Sequence, residues 1–434
     1  MSTSGRVRPG RGAAGGPGQG SRAPAGPPLW TVTFTAAVVV NFLLNLVFYM
    51  LMTTTAVYAI GRFGADGTTA GLAASIFVMG ALACRLLSTV LLVRVGAMRL
   101  FVLGAVLSFL FSLLYLAAEP LWVLMLVRFL HGAGFGLAHS AVGSIAQSVL
   151  PHARRGEGVG YFGTAATMGT ALGPFAGLYA VANAGYSALF LAVATVLAAA
   201  LAGGLLLRVK AAHHPEGTAA DGRQPREEPD PTPAAAPPLR ETLRRILPIG
   251  LIAFFQSIAY AGVAAFMDVH TAALGLGALA GSFFLVYASA VILVRLMTGR
   301  IVDRHGPATV FYPSAALYAA GLVLVATAPS APVLYLGAVL LGIGYGSLLP
   351  TGQTIAMGLL PRRQSGTAFV WYFLFVDLGF GFGPFLLGAL VDGIGTTAMI
   401  LISCSFVAVA GVLFRTFLPA GVRAGKSSEK TFLE

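Results

Sequence analysis

Acidic residues are scarce in this chain: 15 Asp and Glu stand against 27 Lys and Arg in 434 residues, and charged residues of both signs make up only 10%. A water-soluble domain carries about a quarter of its residues as charges, so this shortage excludes that class. It also leaves little for metal-dependent catalysis. The one acidic cluster, Glu227, Glu228 and Asp230, lies in a Pro-rich stretch that cannot bury a core. Cysteine is rarer still. Cys84 and Cys404 both fall inside long apolar runs, which excludes a disulfide framework. A Gly-rich phosphate loop is missing too, so ATP is not expected as the fuel.

Apolar residues take up the space that charge leaves. Hydrophobic residues make up 57% of the chain and its mean hydropathy is +0.84, values that belong to a protein embedded in a bilayer. An α-helix rising 1.5 Å per residue crosses about 30 Å of hydrocarbon in about 20 residues. Twelve apolar stretches meet that length, near 31–56, 71–93, 99–118, 121–149, 157–182, 186–208, 246–270, 276–298, 308–328, 331–359, 366–391 and 396–418. The first is too long and too uncharged for a cleaved signal peptide.

Two polar segments frame these stretches. Residues 1–28 are rich in Gly, Pro, Ser and Arg and read as a disordered cytoplasmic tail, and residues 210–243 read as a cytoplasmic linker. The expected organisation is a six-helix bundle over 29–209, a second over 244–418, and a cytoplasmic tail over 419–434. Arg94, Arg99, Arg154, Arg155, Arg300, Arg304, Arg362 and Arg363 all fall in loops on one side, whereas the other side holds little beyond Arg62. The positive-inside rule then places both termini in the cytoplasm of a multi-pass inner-membrane protein. The formal charge of +12 is a topology signal, and its scatter over short loops excludes a nucleic-acid surface.

The two halves repeat at an offset of 210 residues. Arg85 matches Arg295, Arg94 and Gly96 match Arg304 and Gly306, and Gly132, Gly134 and Gly136 match Gly342, Gly344 and Gly346. Gly173-Pro174 likewise matches Gly383-Pro384. A six-helix repeat of this type puts a substrate site between the halves near the midplane, with access alternating as one half rocks against the other.

Polar residues inside the spans are the candidate pathway. An Arg in mid-membrane costs about 2.5 to 3.5 kcal/mol on insertion scales, so Arg128 needs a partner or a task. Arg128, His131, Phe135 and His139 share one helical stripe, which reads either as a cavity-lining relay or as an Arg bonded to carbonyls of a neighbouring helix. Asn41, Asn45 and Tyr49 repeat every four residues in the first span, with Gln256 and Tyr260 in the equivalent seventh. They line the cavity or act as interhelical glue. Asp377 is the acid best placed to carry a proton through the hydrocarbon layer, unless Arg128, Arg295 or another cation holds it in a structural pair. Arg85 and Arg295, nearer the cytoplasmic ends, read as gating or structural residues. Asp268 and His270 read as interfacial.

Three motifs resemble those of the major facilitator superfamily. GRIVDRHG at 299–306 is similar to its loop motif between the second and third helix of a half, carried by Gly299, Asp303, Arg304 and Gly306. RFLHGAGFG at 128–136 is similar to its fourth-helix motif. GTALGPFAG at 169–177 resembles the GxxxGPxxG signature of its antiporters, through Gly169, Gly173, Pro174 and Gly177. RRGEGVGYFG at 154–163 resembles bacterial drug and metallophore efflux members. The resemblance implies an all-α membrane protein of twelve helices in two pseudo-symmetric bundles. It also implies a secondary transporter, not an enzyme, with a proton-coupled exporter expected ahead of an uptake symporter or uniporter. The expected partners are a small-molecule substrate, protons and the bilayer, for a monomer without cofactor or metal.

The loop motif is uneven between the halves, with Asp303 in the second and Val93 in the first. By the pseudo-symmetry Asp303 faces the start of the fifth helix near Arg154, where a helix N-terminus carries about half a positive charge. The expectation is a single charged latch on the cytoplasmic side.

Overall fold

The computed structural model describes residues 28–151, 154–207, 239–360 and 365–423, so the expected N-terminal tail, most of the linker and the far C-terminus lie outside the described residues. Ten long helices run through it: α1 (Val32–Phe63), α2 (Gly67–Val95), α3 (Ala97–Leu113), α4 (Leu121–Ser148), α5 (Arg155–Gly204), α6 (Leu239–Ala273), α7 (Ala280–His305), α8 (Pro307–Ala326), α9 (Ala331–Gly358) and α10 (Ser365–Phe417). A short α11 (Ala420–Arg423) follows.

All ten long helices are long and apolar enough to cross a membrane. With 50 and 53 residues, α5 and α10 would each extend about 75 Å or more, over twice the hydrocarbon thickness. Each is broken once, at Gly185 (φ 78°, ψ −179°) and at Gly395 (φ 76°, ψ 167°), a backbone region open essentially to glycine alone. The two breaks stand 210 residues apart and divide α5 and α10 into two spans each, which restores twelve. At its N-terminus α6 reaches back to Leu239, inside the stretch expected as linker. The helix starts just after Pro237-Pro238, and its first turns carry a Glu241–Arg245 pair at 2.5 Å.

Packing follows the repeat. Within the halves α1 lies on α5 and α6 on α10, with α4 wedged between α2 and α3 and α9 between α7 and α8. Between the halves α2 meets α10, α5 meets α7, and α1 meets α6. Lipid gives helices no hydrophobic reason to associate, so close backbone approach and polar contacts must hold them. The alternate glycines of α4 supply that approach. A Cβ at Gly132 would sit 1.9 Å from the Phe77 carbonyl oxygen and one at Gly136 2.3 Å from that of Ala81, both on α2. Gly134, two positions on and turned away, would put its Cβ 2.8 Å from the Ser108 nitrogen of α3. The antiporter-type stripe works the same way against α1, where a Cβ at Gly169 would meet Asn45 at 2.6 Å, at Gly173 would meet Tyr49 at 2.6 Å, and at Gly177 would meet the Met50 carbonyl at 2.8 Å.

The halves approach closely at the end away from the basic loops. There the Gly67 N–H donates to the Asp392 carboxylate at 2.7 Å, and a Cβ at Gly71 would meet the Pro384 carbonyl at 1.9 Å. Toward the basic end, a Cβ at Gly160, Gly163 or Gly299 would meet nothing within 4 Å. His270, in the last turn of α6, is buried, with its ring nitrogens 2.9 Å from Thr396 Oγ1 and from the Val325 carbonyl.

The loop-motif glycines separate into two kinds. Gly96 and Gly306 cap α2 and α7 at φ 88° and 83° with ψ 149° and 160°, where a side chain is strained. Gly299 lies inside α7 in open space. Gly306→Ala is therefore expected to destabilise by about 1 to 3 kcal/mol, while Gly299→Ala leaves the melting temperature in detergent unchanged or higher. Equal melting of the two variants would contradict this assignment.

Candidate substrate and proton pathway

An ion pair joins the two halves within the membrane-spanning helices. The Arg85 Nη1 of α2 donates to the Asp377 Oδ2 of α10, and both side chains are 22% exposed. The other end of the guanidinium, Nη2, stands 3.5 Å from His139 Nδ1 of α4. Opposite charges about 4 Å apart attract by about 4 kcal/mol at an effective dielectric of about 20. Desolvating each ion costs several kcal/mol. Desolvation offsets part of that attraction, and removing the charge of either partner would remove it. Tyr49 lies within electrostatic reach of Asp377 and of Arg295.

Arg128 does something different. It is fully buried, and its Nε and Nη2 donate to the Ala73 and Ala74 carbonyls of α2 at 3.0 and 2.6 Å. Its guanidinium carbon sits 5.0 Å above the Phe77 ring. The geometry matches the helix-to-helix alternative, with Nη1 left unpartnered. His131 bonds the Tyr115 hydroxyl through Nδ1 at 2.9 Å. The stripe predicted on α4 thus divides: Arg128 and His131 turn inward to α2 and to Tyr115, and His139 reaches the Arg85–Asp377 pair.

The α1 polar residues also divide. Asn41 donates to the Phe162 carbonyl of α5 at 2.9 Å, and Asn45 donates back to the Asn41 carbonyl at 2.8 Å, so both tie α1 to its neighbour and to itself. Tyr49 faces Phe380 of α10 with ring centroids 6.2 Å apart. Phe380 in turn lies 5.8 Å from the Tyr260 ring and 6.1 Å from that of Phe48. Tyr260 stacks on Tyr345 at 4.6 Å and on Tyr287 at 5.3 Å. The Tyr260 hydroxyl lies beside that of Tyr287, and the buried Gln256 side-chain nitrogen has no hydrogen-bond partner among the described residues.

Sequence reasoning missed Tyr287, Tyr345, Phe380 and the Asp392 clasp. The repeat held a signal for two of them, since Tyr287 and Tyr345 stand 210 residues after Phe77 and Phe135, another aromatic pair in contact at 5.2 Å. The remaining motif residues lie at the basic end. Arg94, Gly299 and Arg304 are exposed there, and Arg154 pairs with Glu157 on α5 at 2.9 Å. The side chains of Val93 and Asp303, on which the latch expectation rests, lie outside the described residues, as do residues 361–364.

If Arg128 holds α4 against α2, then Arg128→Lys, which keeps the charge but cannot span two carbonyls, lowers stability by about 1 to 3 kcal/mol. Thermal unfolding in detergent checks this, and an unchanged transition would contradict it.

Comparison with known proteins agrees with this architecture. The family model described as Major Facilitator Superfamily matches residues 37–336 and 249–433. An uncharacterized MFS-type transporter of Burkholderia mallei (strain SAVP1) is 31% identical over 177 residues, which is 41% of this chain and 43% of that relative. One of Pseudomonas aeruginosa (strain LESB58) is 29% identical over 167 residues, 38% of this chain and 41% of that relative. The chain thus matches less than half the length of these relatives. Among solved structures, a D-xylose-proton symporter superposes with a TM-score of 0.70 at 15% identity, covering 89% of this chain and 98% of that one. The nucleoside transporter NupG gives 0.68 at 14% identity, covering 89% and 99%. Identities this low speak to the fold alone. With the family model spanning both halves and all twelve spans in their repeat, the chain belongs to the major facilitator superfamily, whose members are transporters and not enzymes.

Proposed function

We propose that this protein is a proton-coupled exporter of a small molecule, acting by alternating access in the inner membrane with its basic end in the cytoplasm. The observation that carries the proposal is the Arg85–Asp377 contact between α2 of one half and α10 of the other. A proton arriving on Asp377 removes the charge that holds Arg85 and so loosens the two halves. Loss of the proton restores the pair. His139, 3.5 Å from Arg85 Nη2, touches the face of the guanidinium that Asp377 leaves free. Alternation of this kind needs a charge that switches between two arrangements of packed helices.

Export is favoured by the antiporter-type stripe on α5, whose Gly169, Gly173 and Gly177 press directly on α1 and form a rigid seal. In this reading Tyr49, Gln256 and Tyr260 line the substrate path. Arg128, His131, Asn41 and Asn45 hold the helices that frame it.

Inside-out vesicles with an imposed pH gradient, screened against cationic drugs, sugars, amino-acid derivatives and metal chelates, test both coupling and direction. The expected result is gradient-driven uptake into the vesicles of one class. Asp377→Asn, which cannot carry a proton, reduces that accumulation to background while substrate exchange without a gradient continues. Full gradient-driven accumulation by the variant would remove Asp377 from the coupling. Transport only in the opposite sense would replace export by uptake.

A further inference from the structure

The pseudo-symmetry of the halves is broken at one charge. Arg295 of α7 is the image of Arg85, and position 167 of α5 is the image of Asp377, yet position 167 is Thr. Where α2 meets α10, the Arg finds a carboxylate. Where α7 meets α5, Arg295 Nη1 finds only the Gly163 carbonyl, at 3.2 Å. The Thr167 hydroxyl donates to that same carbonyl at 3.0 Å, so the guanidinium and the side chain at 167 converge on one oxygen. Among the described residues no carboxylate pairs with Arg295. Asp303 is eight positions further along α7, about 12 Å down the helix axis.

A guanidinium inside the membrane layer without a counter-ion is costly, and the residues that carry such a cost mark sites of binding or transport. On α6 the buried Gln256 side-chain nitrogen has no partner among the described residues, and the Tyr260 hydroxyl lies beside that of Tyr287. Among the described residues the two symmetry-related arginines thus share one carboxylate, Asp377, while Asp392 is engaged at the far end by the Gly67 N–H. Aromatic rings of Tyr49, Phe380, Tyr260 and Tyr287 surround this region.

We infer that the molecule carried between the halves is an organic anion, and that its carboxylate, phosphate or sulfonate group takes the place beside Arg295 that a second Asp would fill. The substrate completes the symmetric pair: Asp377 is the built-in counter-ion of Arg85, and the cargo is the removable counter-ion of Arg295. Planar guanidinium and anionic oxygens match in a two-bond fork, which an ammonium does not reproduce. The inference rests on the reading that the substrate passes between the halves.

Thermal unfolding of the purified full chain, in an uncharged detergent without anionic lipid, reads binding apart from transport. The probes are benzoate, phenyl phosphate and benzenesulfonate, with benzamide and benzylamine as neutral and cationic counterparts. A ligand that binds only the folded protein raises the melting temperature with concentration. At millimolar concentration at least one of the three anions is expected to do so, and benzamide and benzylamine are not. Arg295→Gln abolishes the response and Arg295→Lys retains part of it. Thr167→Asp, which places a carboxylate beside the guanidinium, also abolishes it while the unliganded protein melts no lower than the parent. A wild-type protein that answers benzamide as well as benzoate, or answers none of the anions, would overturn the inference. So would an anion response that survives Arg295→Gln. Because binding alone is read, Asp377 can fail as proton carrier without affecting this result, and the reverse.

Discussion

A charge in hydrocarbon needs a polar partner, and the one that Arg85 finds lies 292 positions away in the other half of the chain. That requirement brings α2 and α10 together across the interface. The partners that make the contact are each about one-fifth exposed, so neither is sealed away from protons. Protonation of the carboxylate would remove the attraction and leave a neutral hydrogen-bond partner.

Close packing sets the frame in which the switch operates. The would-be Cβ distances at Gly132 and Gly136 show α4 pressed against the backbone of α2, and Arg128 adds two bonds to carbonyls of the same helix. With α4 fixed there, His139 comes within 3.5 Å of Arg85. At the far end the Gly67–Asp392 bond and the contact of Gly71 with the Pro384 carbonyl close the halves onto each other.

Much of the architecture is legible in the sequence because the period is exposed there. Apolar length marks the spans, and the 210-residue offset pairs Gly96 with Gly306 and Gly185 with Gly395, positions whose backbone angles agree closely in the two halves. Helical spacing groups Arg128, His131 and His139 on α4, yet their side chains find different partners. Spacing reports a face, however, and not what that face meets. Asn41 shows the limit: its side chain reaches Phe162, 121 positions on, so whether it lines a cavity or ties two helices is decided by tertiary contact. The same limit applies to Arg85, read as a gating residue, and to Asp377, read as a proton carrier, which the folded chain brings into one contact.

The central claim is that protonation of Asp377 releases one half from the other. Its most direct measurement is the distance between spin labels at Val90 on α2 and Val370 on α10, two exposed positions toward the basic end, in a background without Cys84 and Cys404. Pulsed electron resonance in lipid nanodiscs across a range of pH reads the distribution. The account predicts that acidification shifts the wild-type distances between two populations, and that Asp377→Asn holds the acid-side distribution at every pH. A variant whose distances move with pH as the wild type's do would contradict it.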